Sequence, residues 1–217
     1  MQGDSDSMSK PAQPAPHGTP RFELIAGNLC LDFINTLDDR PSGNPKELLS
    51  SYADLIHFCE EGGFLNIRDS EYLSERADEA PAKAAKALQE TIRLRESIYA
   101  VFSAIIEKRK LPEPALAELN TFIQEAAGQA RLEKVGGSFE RRFDYRSSLH
   151  SVRWPIAFAA ADLLTSGNLP MIRVCSSPTC RWFFLDTSKN HRRRWCDMKL
   201  CGNRAKARKF YAKKNIA

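Results

Sequence analysis

The chain has 217 residues, of which 42% are apolar, which is enough for one sizeable core and a small additional module. It has no apolar run of about 18 residues and no apolar stretch near its N-terminus, so neither a membrane-spanning helix nor a signal peptide is predicted. We therefore expect a cytoplasmic protein that has no membrane partner and keeps its six cysteines reduced.

The net charge of +5 is distributed unevenly along the chain. Residues 173–217 hold 13 Lys or Arg and only 2 Asp or Glu, a net charge of +11. Residues 1–172 hold 19 basic and 25 acidic residues, a net charge of −6. An acidic body that carries a small, strongly basic module is typical of proteins that bind polyanions.

Residues 1–20 are rich in Pro, Ser and Gly and are predicted to be a disordered tail. The rest of the chain up to residue 167, which we call the body, shows mainly helical periodicity. The predicted elements, in chain order, are a strand at 22–25, helices at 29–37, 51–59, 69–78, 82–108 and 115–127, a β-hairpin at 131–135 and 138–143, and a helix at 148–164. The fold class is therefore α+β, a mainly helical body with a small antiparallel sheet.

Three polar residues, Asp32, Asn35 and Thr36, lie among apolar neighbours in the first predicted helix. They form either a satisfied buried hydrogen-bond network or the floor of a small-ligand pocket that controls the C-terminal module. In either case Arg95, or Arg93, on the long helix is expected to pair with Asp32. Cys30 and Cys59 lie in apolar segments and are predicted to be buried free thiols. No catalytic triad or phosphate-binding Gly-rich loop is present, so we do not expect an enzyme.

The remaining cysteines form two pairs with equal internal spacing, Cys175 with Cys180 and Cys196 with Cys201. Two such pairs provide the four thiolates of a closed, structural zinc site, which leaves no position for a catalytic water. The β-rich runs 171–174 and 181–185 predict a hairpin with the first pair at its tip, and the run 199–214 predicts a helix with Cys201 in its first turn. We interpret His191 as a residue of the basic loop rather than as a ligand.

Two stretches carry a resemblance to known families. Cys201-Gly202-Asn203-Arg204, preceded by Arg193 to Cys196 and by Phe184 to Ser188, resembles the CGNR zinc finger of bacterial proteins. Gly27 to Thr36 resembles the opening of the ABATE domain, the usual N-terminal partner of that finger. The resemblance implies a treble-clef-like finger with one structural zinc ion at residues 168–217, which we call the finger, after an ABATE-like domain at 21–167. Members are described as stress-induced transcription regulators.

The basic residues of the finger have few acidic partners in sequence, which favours a nucleic-acid surface. The expected contact residues are Arg192, Arg193, Arg194, Asn203, Arg204, Lys206, Arg208, Lys209 and Lys213. Leu200, Ala207 and Tyr211 are expected to pack on the hairpin through Trp182 and Phe184, which leaves the basic rows outward. Asn203 and Arg204 can read base edges in a major groove, although Asn203 serves equally well as a hydrogen-bonding residue within the finger.

The preferred function is DNA-binding transcription regulation, with a body that senses a small-molecule effector or forms a dimer. Two alternatives remain open from the sequence. RNA binding would use the interleaved aromatic residues Trp182, Phe183, Phe184 and Trp195 to stack unpaired bases, although such residues more often pack a small core. A protein-interaction module would instead present the basic face to an acidic partner.

Overall fold

The computed structural model describes residues 21–214, with side chains described to residue 211. The predicted disordered tail at 1–20 lies outside the described residues. No helix in the described part combines the length and the apolar character that crossing a bilayer requires.

The described residues form seven α-helices and three separate two-stranded antiparallel sheets, which confirms the predicted α+β class. The helices are α1 Leu29–Ile34, α2 Tyr52–Glu61, α3 Ile67–Glu79, α4 Pro81–Ile106, α5 Glu113–Gln129, α6 Trp154–Thr165 and α7 Asn203–Lys214. The strands are β1 Leu37–Asp38, β2 Lys46–Glu47, β3 Arg131–Val135, β4 Ser138–Arg142, β5 Ile172–Val174 and β6 Phe183–Leu185. Each odd-numbered strand pairs with the strand that follows it.

The long helix α4 is the centre of the body. It packs against α1, α2, α3 and α5, while α6 packs against α1 and α5. Its apolar stripe recurs every three or four residues, and Leu94, Ile98 and Phe102 on that stripe are fully buried. The helical period read from the sequence therefore identified the face of α4 that forms the core.

Local sequence signals explain where several helices begin. Ser51 caps α2, accepting from the N–H of Asp54, whose carboxylate accepts from the N–H of Ser51. Pro81 lies in the first turn of α4, where its missing N–H costs nothing. The helix predicted from residue 148 begins at Trp154 instead, because Pro155 fits only the first turn of a helix.

Two predicted elements near the start of the body are wrong in detail. Residues 22–25 do not form a strand, and the neighbouring Ala26 makes a single backbone bond, from the N–H of Leu185 in β6 (2.7 Å). The first helix ends at Ile34 rather than residue 37, because Leu37 and Asp38 pair with β2. The conformation of these short segments is set by hydrogen-bond partners that are distant in sequence, and the local hydrophobic period gives no information about such partners.

Asp32 lies in the first turn of α1, and its Oδ1 accepts a hydrogen bond from the N–H of Ala26 (2.8 Å). This bond closes the turn at Gly27, whose φ of +77° lies in the left-handed region. Burial raises the pKa of Asp32 to about 7, although the hydrogen bond from Ala26 opposes the rise. Near pH 7 the carboxyl group of Asp32 is therefore partly protonated in the folded state.

This raised pKa predicts a pH dependence of stability. Between about pH 4 and pH 7 the folded state binds a proton at Asp32 that the unfolded chain releases, so the free energy of unfolding falls as the pH rises. We expect Asp32→Asn to flatten this fall when denaturant unfolding is measured across the upper half of the window. The control Asp162→Asn changes a largely exposed carboxylate and should keep the wild-type slope. Equal slopes in all three proteins would contradict the prediction.

Candidate metal centre and the surfaces around it

The structure brings the four predicted cysteines into one buried cluster. One sulfur from each of Cys175, Cys180, Cys196 and Cys201 lies within 4.8 Å of all the others. The Sγ atoms of Cys180 and Cys196, and those of Cys196 and Cys201, are 3.7 Å apart. A tetrahedral zinc site with bonds of about 2.3 Å requires sulfur atoms about 3.8 Å apart. The donor set and its spacing therefore fit a metal ion of this kind.

The first cysteine pair is presented by the β5–β6 hairpin, as predicted. The ladder of β5 with β6 continues one step further, where the N–H of Cys175 donates to the carbonyl of Trp182 (2.8 Å). The chain then turns back through the N–H groups of Cys180 and Arg181, which both donate to the carbonyl of Ser177. Arg181 has a φ of +58°, which turns the chain sharply after Cys180.

In the second pair, Cys201 is presented by a wide π-helical turn, Met198–Gly202, that precedes α7, and Cys196 lies just before this turn. Asp197 caps this turn: its Oδ1 accepts from the N–H of Leu200 (2.8 Å), and its carbonyl accepts from the N–H groups of Cys201 and Gly202. The thioether of Met198 packs on Gly202, so a larger side chain there would displace Met198. Cys201 therefore lies in this turn rather than in the first turn of the helix.

The electrostatics of the cluster favour a cation. Cys175 accepts hydrogen bonds from Cys180 and Cys196, which lowers its pKa to about 2. Donating these hydrogen bonds to Cys175 raises the pKa values of Cys180 and Cys196, and burial and the neighbouring negative charge add to the rise. Four thiolates can coexist at this spacing only when a cation neutralises them, so metal binding would release protons from the cluster.

A buried carboxylate, Asp186, positions the basic loop between the two cysteine pairs. It is fully buried and accepts from the N–H and hydroxyl of Ser188 and from the N–H of Arg193 (2.8 Å). Burial raises the pKa of Asp186, but these donors together hold it below its usual value. His191 lies outside the cysteine cluster, and its Nδ1 donates to the carbonyl of Asp186 (2.7 Å). The sequence reading assigned Asp186 no role, although an Asp two residues before a Ser is typical of such a turn.

Three of the predicted nucleic-acid-binding arginines make contacts inside the finger. The guanidinium of Arg193 donates to the carbonyl of Cys196 and lies 4.7 Å from the ring of Phe184. Arg204 donates to the sulfur of Cys201 (3.4 Å). Arg208 donates to the hydroxyl of Ser177 in the first cysteine turn (3.2 Å). Arg204 and Arg208 thus connect α7 to both halves of the cluster.

The other predicted contact residues with described side chains are exposed, and these are Arg192, Arg194, Asn203, Lys206 and Lys209. Lys213 lies in the last turn of α7, where the side chains are outside the described part. Among residues 21–211, no ion pair includes a basic residue of the finger. The positive charge of this surface is therefore not neutralised within the described chain.

The expected packing of α7 on the hairpin is wrong. Ala207 is exposed, and Tyr211 is 63% exposed and forms an edge-to-face pair with Phe210, which is 65% exposed. The hairpin aromatics that were expected to receive Ala207 and Tyr211 make other contacts: Phe184 is buried and Trp182 turns toward the body. Phe210 and Tyr211, which lie beyond the first turn of α7, are therefore exposed to solvent.

The finger is joined to the body by a set of specific contacts at Phe183. The amide of Asn35 donates to the carbonyl of Phe183 (2.9 Å) and accepts from its N–H (3.0 Å), as a neighbouring strand would. Tyr99 on α4 stacks on the Phe183 ring at 5.5 Å, and the indole N–H of Trp182 donates to Asp38 (2.7 Å). We call this set the Asn35 clamp.

The predicted pairing of Asp32 with Arg93 or Arg95 is wrong. Arg95 is 1% exposed and forms two bonds with the carboxylate of Glu47 (2.7 and 2.6 Å), one with Glu96 (2.9 Å) and one with the hydroxyl of Thr36 (3.1 Å). Arg93 instead pairs with Glu118. These contacts favour a satisfied polar network, and a ligand pocket at Asp32, Asn35, Thr36 and Arg95 stays a prediction.

Cavities on the body include two that are not lined by those four residues. One of about 480 Å³ lies beside Glu96, Ser97 and Glu118, and one of about 340 Å³ lies between α2 and α3. Cys30 and Cys59 are buried free thiols, as predicted, and burial raises the pKa of both. Neither thiol is in an environment that would favour reactivity.

Comparison with known families gives two matches that cover most of the chain. The ABATE family, described as "Putative stress-induced transcription regulator", matches residues 27–167, and the CGNR zinc finger matches residues 171–214. Because the first match spans more than half of the chain, the chain belongs to the ABATE family. A search of the curated proteins finds no match.

The Asn35 clamp predicts that the stability of the protein depends jointly on Asn35 and on the metal. Asn35→Ala leaves the buried N–H and carbonyl of Phe183 without partners, a cost of about 1–3 kcal/mol. We expect this loss in thermal unfolding of the metal-loaded protein and a smaller loss after chelation, since chelation already releases the finger. Asn120→Ala, at an exposed position on α5, is the control and should have little effect. An equal loss in both metal states would show that Asn35 stabilises only the body.

Proposed function

From the membership in the ABATE family, we propose that this chain is a cytoplasmic DNA-binding transcription regulator whose finger contacts DNA. Neither matching family is an enzyme family, and we propose a binding role rather than a catalytic one. Residues 21–167 and 168–217 are proposed to be separate domains. In this proposal the body senses an effector or forms a dimer, and the Asn35 clamp holds the finger in one orientation.

We propose that the cluster holds one structural zinc ion through Cys175, Cys180, Cys196 and Cys201. The ion would supply charge neutralisation and crosslinking, since four thiolates leave no open position for catalysis. The residues around it keep the ligands in place: Asp197 shapes the turn before Cys201, and Arg204 donates to the sulfur of that ligand. In small modules of this kind, metal binding supplies much of the folding free energy, about 10 kcal/mol in isolated finger peptides.

The observation that carries the nucleic-acid proposal is the exposed positive surface next to the cluster. Arg192, Arg194, Lys206 and Lys209 are exposed, and no ion pair neutralises them in the described chain. Four cations held on a rigid loop and helix would interact strongly with the phosphates of a duplex. In this proposal the exposed Asn203 is the residue placed to read a base edge, while Arg204 braces the metal site.

Binding to single-stranded RNA is a second candidate, and one observation favours it. Phe210 and Tyr211 are exposed beside the basic residues of α7, and exposed aromatic rings can stack on unpaired bases. Of the four aromatic residues first considered for this role, Phe183 and Phe184 are buried and Trp182 bonds to Asp38. Trp195 is partly exposed, and the guanidinium of Arg194 lies 5.3 Å from its ring. Competition between duplex DNA and RNA for the same protein separates the two candidates.

The metal assignment predicts about one zinc ion per chain in the purified, reduced protein. Cys196→Ser should lower the zinc content strongly, because Cys196 lies 3.7 Å from two other ligand sulfurs at the centre of the cluster. Elemental analysis checks both statements. The control Cys59→Ala removes a buried thiol of the body and should leave the zinc content unchanged. Full zinc occupancy in Cys196→Ser would overturn the ligand assignment.

The nucleic-acid proposal predicts electrostatic binding with a defined salt dependence. If the four exposed cations each meet a phosphate, log K should fall with log salt with a slope of about −3.6 on duplex DNA. Lys209→Ala should reduce this slope by about 0.9 and weaken binding to all sequences alike. The control Lys110→Ala, at an exposed site in the body, should change neither.

In the same binding assay, Arg204→Ala tests whether Arg204 holds the metal site in place or reads a base edge. Because Arg204 donates to Cys201 Sγ, we expect it to lower zinc affinity and thermal stability and to leave the preference between DNA sequences unchanged. A loss of preference with normal zinc affinity would instead make Arg204 a base-reading residue. A wild-type protein that binds neither DNA nor RNA at low salt would remove the nucleic-acid proposal and favour an acidic protein partner.

A further inference from the structure

The β3–β4 hairpin, which we call the ribbon, extends from the body as a free two-stranded sheet. All ten of its strand residues are exposed, and the apolar side chains of Leu132 and Phe139 are 75% and 69% exposed. Near its base, Arg141 pairs with Asp162 (3.0 Å) and lies 3.9 Å from the ring of Phe158. A two-stranded ribbon with exposed apolar side chains is at best marginally stable alone in water, which indicates that another surface covers it.

The outer edge of the ribbon is open for pairing. Within residues 21–214, β3 and β4 form a sheet of two strands, so one edge of each strand has no neighbour. An open edge readily pairs with another strand, and proteins usually protect such edges or use them. The edge of β3 is the better candidate, because Arg141 already fixes β4 to α6.

The charge pattern on one face of the ribbon is unfavourable inside a single chain. Arg131 lies directly opposite Arg142, and Glu133 lies directly opposite Glu140. Like charges placed opposite each other destabilise a sheet. Arg142 relieves part of this repulsion by pairing with Glu140 (2.8 Å). Arg131, in contrast, forms no ion pair among the described residues, so it is available to an external carboxylate.

We propose that the edge of β3 pairs antiparallel with β3 of a second copy of this chain, about a two-fold axis at Leu132. In this register Arg131 lies opposite Glu133 of the second copy, and the symmetry repeats that pair on the other side of the axis. Registers centred on Arg131, Glu133 or Lys134 would instead place identical charges on the axis. Among the registers centred on residues 131–134, the charge sequence of β3 therefore selects the one at Leu132.

The same register also brings the exposed apolar residues of the two copies together. Leu132 shares a face of the ribbon with Phe139, because Phe139 is opposite Lys134 and side chains alternate along a strand. In the four-stranded sheet of the dimer, Leu132 of each copy lies opposite its equivalent, and each Phe139 lies on the diagonal beside it. Diagonal neighbours of this kind are within reach of aromatic side chains. Four exposed apolar side chains thus form one continuous strip.

A second copy fits the ribbon better than nucleic acid does. A two-stranded ribbon can enter a major groove, and this one carries four basic residues, Arg131, Lys134, Arg141 and Arg142. Its two carboxylates, Glu133 and Glu140, lie opposite each other across the strands and would face phosphates at close range. A second copy provides an arginine partner for Glu133, while Glu140 keeps its pair with Arg142 of its own strand.

Sedimentation velocity of the full-length, zinc-loaded protein over a concentration series tests the proposal. We expect a reversible dimer. Arg131→Glu should raise the dimer Kd by about tenfold or more, since it places two pairs of carboxylates opposite each other across the axis. The double variant Arg131→Glu with Glu133→Arg reverses the pattern and should restore the dimer. Arg131→Glu places opposite charges across the ribbon at Arg142, and the double variant does so at Glu140 as well, so loss of ribbon structure would not explain a monomer.

Disulfide crosslinking tests the register. Leu132→Cys places two thiols opposite each other on the axis and should form a covalent dimer on mild oxidation. The control Ser138→Cys lies at the tip of the ribbon, away from the axis, and should crosslink no more than the wild type. A wild-type protein that is monomeric throughout the series, or a dimer that Arg131→Glu leaves unchanged, would overturn the proposal. A monomer whose Arg131→Glu variant binds DNA more weakly would assign the ribbon to nucleic acid instead.

Discussion

The C-terminal module depends on four thiols held closer together than free thiolates tolerate. Their spacing matches a tetrahedral metal site, and their mutual repulsion means that a cation is needed for all four to ionise. The surrounding structure serves this constraint: a hairpin turn supplies two sulfurs, a capped π-helical turn supplies that of Cys201, Cys196 lies just before that turn, and backbone bonds join the segments. A metal bound at this cluster would link the segments that carry the positive surface, which would explain how so small a module presents that surface.

Specific contacts connect the body and the finger, the two parts of the chain that match the two families. The side-chain amide of Asn35 makes the two hydrogen bonds with the backbone of Phe183 that a neighbouring strand would make, and Tyr99 stacks on the Phe183 ring. Arg40 lies 4.0 Å above the ring of Tyr99 and pairs with Glu96, which also binds Arg95. A continuous set of contacts thus runs from the buried polar network of α4 to the hairpin beside the metal site. Under the proposed function, such a connection is what an effector-sensing body needs in order to affect a DNA-binding finger.

The arginines of the finger divide by their contacts rather than by their positions in sequence. Arg193, Arg204 and Arg208 use their guanidinium groups to hold the metal site and its turns together. Arg192 and Arg194 project outward from the same loop. A run of three arginines looks uniform in sequence, yet the buried Asp186 turns only the N–H of Arg193 inward. The charge count of the sequence therefore does not show which arginines also hold the finger together, although Arg204 and Arg208 remain exposed.

Most helices of the body, the β5–β6 hairpin and the four-cysteine cluster could be predicted from the sequence, because these depend on spacing within short windows. Helical period, capping residues, proline positions and paired cysteines are all local signals. The pairing of Arg95 with Glu47 rather than Asp32, the binding of Asn35 to the finger and the exposure of Tyr211 became clear only from the three-dimensional packing. These outcomes depend on which distant segments meet. A polar group buried on folding takes whichever partner the packing brings within hydrogen-bond distance, and no local pattern encodes that choice.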